Sequence, residues 1–365
     1  MRGRRWMTSL RGAGLVALLA GGSVSPLLAQ EPLKIGFVYV SPVGDAGWTY
    51  QHDLARREME RALGGKVVTK YVENVAEGAD AERVIRELAT SGHKLIFTTS
   101  FGYMNPTIKV AKSFPAVYFE HATGYKRDKN VGTYNARFYE GRYLTGLVAG
   151  RMTKANVAGY VAAFPIPEVL QGINAFTLGM RSVNPKAQVK VIWVNSWYDP
   201  GREREAAMTL ISQGADVVTH HTDSTAVVQA AEEKGVYAIG YHSDMSKYGP
   251  KAHLTASTHD WSGHYIKVAQ DLLAGTYTPS NVWGGIKAGM VKLAPLNPAV
   301  PAEVREVVAK AEADIVSGKL HPFVGPVKDQ AGKERVATGK TMPDSQLEVM
   351  DYYVDGVVGQ LPKKP

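Results

Sequence analysis

The side chains with the most chemical character in this chain stand where apolar runs end. Trp48 follows the run Leu33–Val40 after a cluster of turn formers, Ser41, Pro42, Gly44, Asp45 and Gly47. Phe101 follows Leu95–Thr99, Glu120 and His121 follow Ala116, and Phe164 follows Val157–Ala162. Trp197 comes after 189–194 with Tyr198 and Asp199 beside it, Asp223 after His220-His221, and Asp244 after Ala238–Gly240. A β-branched apolar run stopped by turn residues reads as a strand ending in a loop. Aromatic rings and carboxylates gathered at such ends suit a flat heterocycle. Rings sandwich its faces, with stacking worth about 1–3 kcal/mol per base. Glu120, His121, Asp223 and Asp244 are candidates to read its edge, and a buried carboxylate there needs donors from the ligand or from neighbours.

Each residue also has a plain structural use. Trp48 can pack beneath its own loop, and Trp197 can cap a core. Asp199 precedes Pro200 and fits a helix N-cap, as does Asp223 before Ser224. His220-His221-x-Asp223 invites a metal, but adjacent strand residues point to opposite faces, so no metal site is expected. No Gly-x-Ser-x-Gly elbow is present, and Gly44-Asp45-Ala46-Gly47 lacks the third glycine of a dinucleotide loop. The expectation is a binding protein without catalytic residues or cofactor, with a periplasmic nucleoside hydrolase as the enzymatic alternative.

The positioning elements alternate. Strands are expected at 33–40, 66–72, 95–99, 116–120, 157–162, 189–194, 215–219 and 236–240. Helices are expected from Tyr50, over 79–90, from Asn105, and over 137–153, 168–183, 200–213 and 224–234. Two successive βα series with short loops predict an α/β protein of two doubly wound parallel-sheet lobes, facing each other across a cleft. Ligand anchors divided between lobes would couple binding to hinge closure. Beyond 254 the chain is harder to read: 281–293 is strand-like, 301–317 an amphipathic helix, 324–336 a hairpin, 344–353 a short helix and Lys363-Lys364-Pro365 a solvated tail.

Composition bounds the rest. At 365 residues, with 45% hydrophobic and 21% charged residues, the chain is long enough for two globular domains. Residues 1–29 place Arg2, Arg4, Arg5 and Arg11 before Leu15–Ala20 and a small residue at Ala29, the pattern of a cleaved signal peptide. Arg4-Arg5 is a poor match to a twin-arginine signal. The formal charge of +8 includes those four arginines, so the chain after Ala29 carries only +4. Nucleic acid is therefore not an expected partner. There is no cysteine, hence no disulfide and no lipid-modified N-terminus. Together these features favour a bacterial periplasm and a protein that does not span the membrane.

Four stretches recur in a known order: the loop at 44–49, Glu140-Gly141-Arg142-Tyr143-Leu144-Thr145-Gly146-Leu147-Val148-Ala149-Gly150, Trp197-Tyr198-Asp199-Pro200, and Ala238-Ile239-Gly240-Tyr241-His242-Ser243-Asp244. As a set over roughly 33–320 they resemble the basic membrane protein family of solute receptors feeding ABC importers. The resemblance implies a type I periplasmic binding fold with a three-segment hinge, an inner-membrane ABC permease as partner, and a purine nucleoside, nucleobase or riboflavin as ligand. It assigns 31–134 plus about 255–280 to the first lobe and 135–254 plus about 281–365 to the second, in a monomer. Trp48 matches the first-lobe stacking aromatic, Asp45 the acid before it, Trp197 the second-lobe aromatic, and Asp244 the acid of the Gly-x-x-Ser-Asp turn. His242 and His259 stand where nucleoside-binding relatives carry sugar contacts. That departure, with two tryptophans, points to a nucleobase such as adenine.

Overall fold

The structure, a computed structural model, describes Met1 and residues 31–362. The expected signal segment and the terminal Lys363–Pro365 thus lie, Met1 apart, outside the described residues. The first series runs β1 (Leu33–Val38), α1 (Trp48–Leu63), β2 (Val67–Val72), α2 (Ala79–Thr90), β3 (Leu95–Thr98), α3 (Met104–Ala111), β4 (Tyr118–Ala122) and β5 (Val131–Ala136). The second runs α4 (Phe138–Met152), β6 (Val157–Ala162), α5 (Pro167–Val183), β7 (Gln188–Trp193), α6 (Pro200–Ser212), β8 (Val217–His221), α7 (Ala226–Lys234), β9 (Tyr237–His242) and β10 (His253–His259). Then come α8 (Ser262–Leu273), β11 (Asn281–Gly284), β12 (Val291–Leu293), α9 (Ala302–Val316), β13 (Val327–Lys328), β14 (Glu334–Val336), α10 (Asp344–Leu347) and β15 (Val357–Val358).

These strands form two large sheets. The first has the order β11-β5-β4-β3-β1-β2 and is parallel throughout. The second has the order β12-β10-β9-β8-β6-β7-β15 and is parallel except for the antiparallel β10–β12 pair. β13 and β14 make the expected hairpin, whereas α10 is shorter than the helix expected at 344–353. β1 shows why the apolar runs become central strands. Ile35 and Phe37 face the core under α1 and α8, while Val38 joins the core under α2 and α3. A strand covered on both faces must be apolar on both.

Three elements have weak sequence signatures: β5, β10 and α8. β10 reads His-Leu-Thr-Ala-Ser-Thr-His, and β5 carries Gly132 and Asn135, so neither shows a clean apolar run. They set the hinge. Sheet membership places the crossings between lobes at Ala136–Phe138, His259–Ser262 and Gly284–Val291. The boundary expected near 255 therefore shifts, because β10 belongs to the second sheet and the chain returns to the first lobe with α8, which packs on α1. Residues 281–284, expected in the second lobe, instead extend the first sheet beside β5.

Arg137 clasps the first crossing. Its guanidinium pairs with both carboxylate oxygens of Asp344 at 2.7 Å and lies 4.7 Å from the Trp283 ring. In the second lobe, α4 and α5 meet backbone to backbone. A Cβ on Gly179 would overlap the Tyr143 carbonyl, and one on Gly146 the Phe176 carbonyl. Gly179→Ala is expected to destabilise the protein by about 1–3 kcal/mol through overpacking, seen as a lower urea midpoint than for the open-site control Gly263→Ala.

Candidate functional site

The two sheets turn their carboxyl ends toward each other, where open α/β sheets place their ligands. Val40, Trp48, Ser100, Phe101 and Thr123 line one side of the cleft from the first lobe. Glu168, Trp197, His221, Asp223 and His242 line the other from the second. About 320 Å³ of space, part of it open to solvent, lies between them.

Trp48 is the first residue of α1 rather than a loop residue, and this explains its position. Gly47 caps the helix at φ 95° with its amide donating to Ser243 Oγ at 2.9 Å, across the lobes. A side chain there would be strained and would overlap the Asp223 carbonyl. Trp48 is thereby rooted in the core. Its Nε1 donates to the Thr99 carbonyl at 2.6 Å, and its ring meets His52, His242 and Trp261 edge-on at 4.4, 5.3 and 5.5 Å. Only 7% of it is exposed, toward the cleft. The structural and the ligand-facing readings of Trp48 are thus compatible.

Trp197 is mounted differently. It sits on the loop before α6, half-buried, with its ring 5.0 Å from Phe164. Its Nε1 reaches across to Glu77 of the first lobe at 3.2 Å. The same Glu77 oxygen accepts from Ser100 Oγ at 2.5 Å and from the Gly102 amide at 3.0 Å, which fixes the turn bearing Phe101. One carboxylate therefore links two cleft aromatics. Asp199 caps α6 by accepting from the Arg202 amide at 3.0 Å, so Trp197 is held from both ends of its loop.

Asp223 lies at the floor with little exposure. Glu203 of α6 accepts from Thr222 Oγ1 and Ser224 Oγ at 2.8 and 2.5 Å and so shapes the loop that presents it. Ser224, not Asp223, bonds the start of α7. Ser41 Oγ donates to Asp223 Oδ2 at 3.2 Å across the lobes, and His242 Nε2 lies 3.6 Å from Oδ1. Burial pushes the Asp223 carboxyl well above its ordinary range, with Glu203 adding to the effect. Glu168, in the first turn of α5, lies 3.2 Å from His221 Nε2, and burial pushes its carboxyl up to about 8. Burial holds His221 and His242 far below the usual imidazole value, so both are neutral near pH 7. His242 and Thr123 adopt left-handed backbone at φ 65° and 63°, a conformation that non-glycine residues tend to keep at ligand-facing positions.

Four of the expected site residues lie elsewhere. Asp45 is on the surface, pairing with Lys247 at 2.8 Å, and that partner pulls its carboxyl below the usual range. Asp244 caps its own turn through the Ser246 amide at 2.9 Å and borders a separate groove beside α1 and α8. Glu120 and His121 alternate across β4. Glu120 faces His264 and Tyr277, while His121 faces Thr98 Oγ1 at 3.0 Å under α3. Both are spent within the first lobe. Trp48, Phe101, Trp197 and Asp223 are brought together. Glu168 and Thr123 join them without any motif to announce them, since an acid after Pro167 looks like an ordinary helix start. Among the described residues no group of three or more His, Asp or Glu is arranged to hold a metal.

Two α/β lobes joined by three chain crossings, meeting over a small aromatic cleft, define a hinged ligand-binding protein. Residues 33–320 match the family of PnrA-like ABC transporter substrate-binding proteins, and the chain belongs to that family. It is accordingly a substrate-binding protein and not an enzyme. A purine-binding protein of Brucella abortus is 53% identical over 351 residues, covering 96% of this chain and 99% of its own. A candidate ABC transporter glucose-binding protein of Haloferax volcanii is 40% identical, covering 91% of this chain and 82% of its own. A solved ABC solute-binding protein of Aeropyrum pernix shares the fold, with TM-score 0.69 over 87% of this chain and 98% of its own at 18% identity.

Glu77→Ala should free the Trp197 indole. Acrylamide quenching of the Trp197 fluorescence, isolated by comparison with Trp197→Phe, is expected to rise several-fold. Glu77→Gln, which keeps an acceptor, should stay near the wild type.

Proposed function

We propose that this protein is the periplasmic receptor of an ABC importer, exported by a cleaved signal peptide, that captures a purine nucleobase and presents it as a monomer to an inner-membrane permease. Adenine is the foremost candidate. The carrying observation is the lining of the cleft, with Trp48 and Phe101 offered by one lobe and Trp197 by the other. Rings from both sides suit the two faces of a planar base, and stacking contributes about 1–3 of the roughly 8 kcal/mol that micromolar affinity requires. A ligand held by both lobes also favours their closed arrangement. The purine-binding relative at 53% identity supports the same class.

The base, rather than the nucleoside, is favoured at the hinge. His242 and His259 meet through their Nδ1 atoms at 3.1 Å, and His259 packs on Phe138 at 4.5 Å. Both side chains are engaged with each other and with aromatics. A nucleoside or riboflavin remains a second reading on one observation. A second space adjoins the cleft, sharing Phe101, Thr123 and Glu168 and bordered by Tyr125, Gln171 and Trp283. A ring substituent would point toward it.

Native mass spectrometry of the purified protein, with calorimetry against adenine, guanine, hypoxanthine, adenosine, riboflavin and glucose, tests the assignment. Adenine or another base is expected to bind with the highest affinity. Binding of glucose or amino acids alone would sink the reading, and hydrolysis of adenosine would revive the enzyme. Trp48→Ala and Trp197→Ala are each expected to weaken base binding at least about tenfold. Trp197→Ala should do so with little change in melting temperature, because that side chain is half-buried on a loop, whereas Trp48→Ala also removes a core anchor. Unchanged affinity in both variants would remove the aromatic clamp.

A further inference from the structure

We propose that Glu168 is the residue that reads the edge of the bound ring, acting beside His221 to select a heterocycle that offers a donor and an acceptor on adjacent atoms. This rests on the base-receptor reading and adds the group that decides which base fits.

The geometry carries the assignment. Glu168 projects from the first turn of α5 into the cleft and also borders the adjoining space, so its carboxyl stands at the junction of the two. One of its oxygens lies 3.2 Å from His221 Nε2, and the side chain is only 11% exposed. His221 Nδ1 is buried without a partner. Asp223, the other cleft carboxyl, accepts from Ser41 of the opposite lobe and so serves the contact between the lobes. Glu168 is bonded only within its own lobe, keeps one oxygen without a side-chain partner among the described residues and borders both spaces.

Chemistry follows from its surroundings. His221 and Asp223 approach from β8 and the loop after it, His242 and Tyr241 from β9, Tyr160 from β6 and Arg142 from α4. Tyr125 and Glu348 face it across the adjoining space. Burial outweighs both the helix N-terminus and Arg142, and the carboxyl rises to about 8. A protonated carboxyl donates through one oxygen and accepts through the other, whereas a carboxylate only accepts. The protonated form matches the adjacent N and N–H groups along a purine edge, and it spares the cost of a buried charge. Binding is then expected to favour the protonated protein and to weaken as pH rises through that value.

Adenine calorimetry from pH 6 to 9 on the intact protein and its Glu168→Gln and Glu168→Ala variants is the test. Wild-type affinity should hold between pH 6 and 7 and fall about tenfold by pH 9, where about one part in ten of such an acid stays protonated. Glu168→Gln keeps a donor and an acceptor at every pH. Its affinity should lie within about threefold of wild type at pH 7 and stay flat to pH 9, which also controls for titration of adenine. Glu168→Ala should lose about tenfold or more throughout, with melting curves establishing that both variants fold. Wild-type affinity in Glu168→Ala, or a wild-type pH profile in Glu168→Gln, overturns the proposal. A wild-type protein that binds no purine base at all overturns the receptor reading, and this proposal with it.

Discussion

The cleft is organised around one buried charge. Arg142 of α4 has no exposed surface. Its guanidinium donates to the His220 carbonyl at 2.6 Å and to Thr219 Oγ1 at 3.2 Å, and it lies 3.3 Å from the centre of the Tyr241 ring. Burying a cation is costly unless hydrogen bonds and a π face replace its water. Here two hydrogen bonds and the Tyr241 face replace part of it, Nε staying without a partner among the described residues, and the consequence reaches the whole floor. Burial first and Arg142 second hold His220 and His221 neutral, and Arg142 adds to the same effect at His242 and His259. A single fixed charge thus lies under a layer of uncharged imidazoles, with the raised Glu168 carboxyl beside it.

Closure has its own constraint, the contact of Gly47 with the Asp223 carbonyl. The lobes approach until backbone meets backbone, and Ser243 Oγ then receives the Gly47 amide and Gln51 Nε2, each at 2.9 Å. The same loop starts α1 and so fixes Trp48. Strand end, helix cap, lobe contact and ring position are one local arrangement. This is the physical content of the turn-forming cluster Ser41–Gly47.

Much of this was legible in the chain. Apolar runs bounded by turn residues gave both βα series, because strands covered on two faces leave a strong pattern. The cleft aromatics were legible because Trp48, Phe101 and Trp197 stand where strands end. The hinge was not: β5 and β10 are polar for strands, since they sit beside crossings and carry His, Asn and Thr. Residue type alone also misplaced acids. Glu120 and His121 are adjacent on a strand, so at most one could face any given surface, and each found partners inside its own lobe. Asp45 and Asp244 lie in loops beside the cleft, and their positions depend on Lys247 and on a local turn that no periodicity encodes. Glu168 is visible only once α5 is seen to start at the cleft.

The bonds that join the lobes have a consequence for closure. Trp197–Glu77, Ser41–Asp223 and Gly47–Ser243 are single hydrogen bonds, and Asp45–Lys247 is an exposed ion pair. A neutral hydrogen bond of this kind contributes about 0.5–1.5 kcal/mol and one to a carboxylate somewhat more, while the exposed ion pair adds little. Gln51 and the Trp48–His242 ring contact complete a clasp of a few separate bonds. A ligand that touches both lobes adds its own contacts to that set and so favours the closed arrangement over an open one.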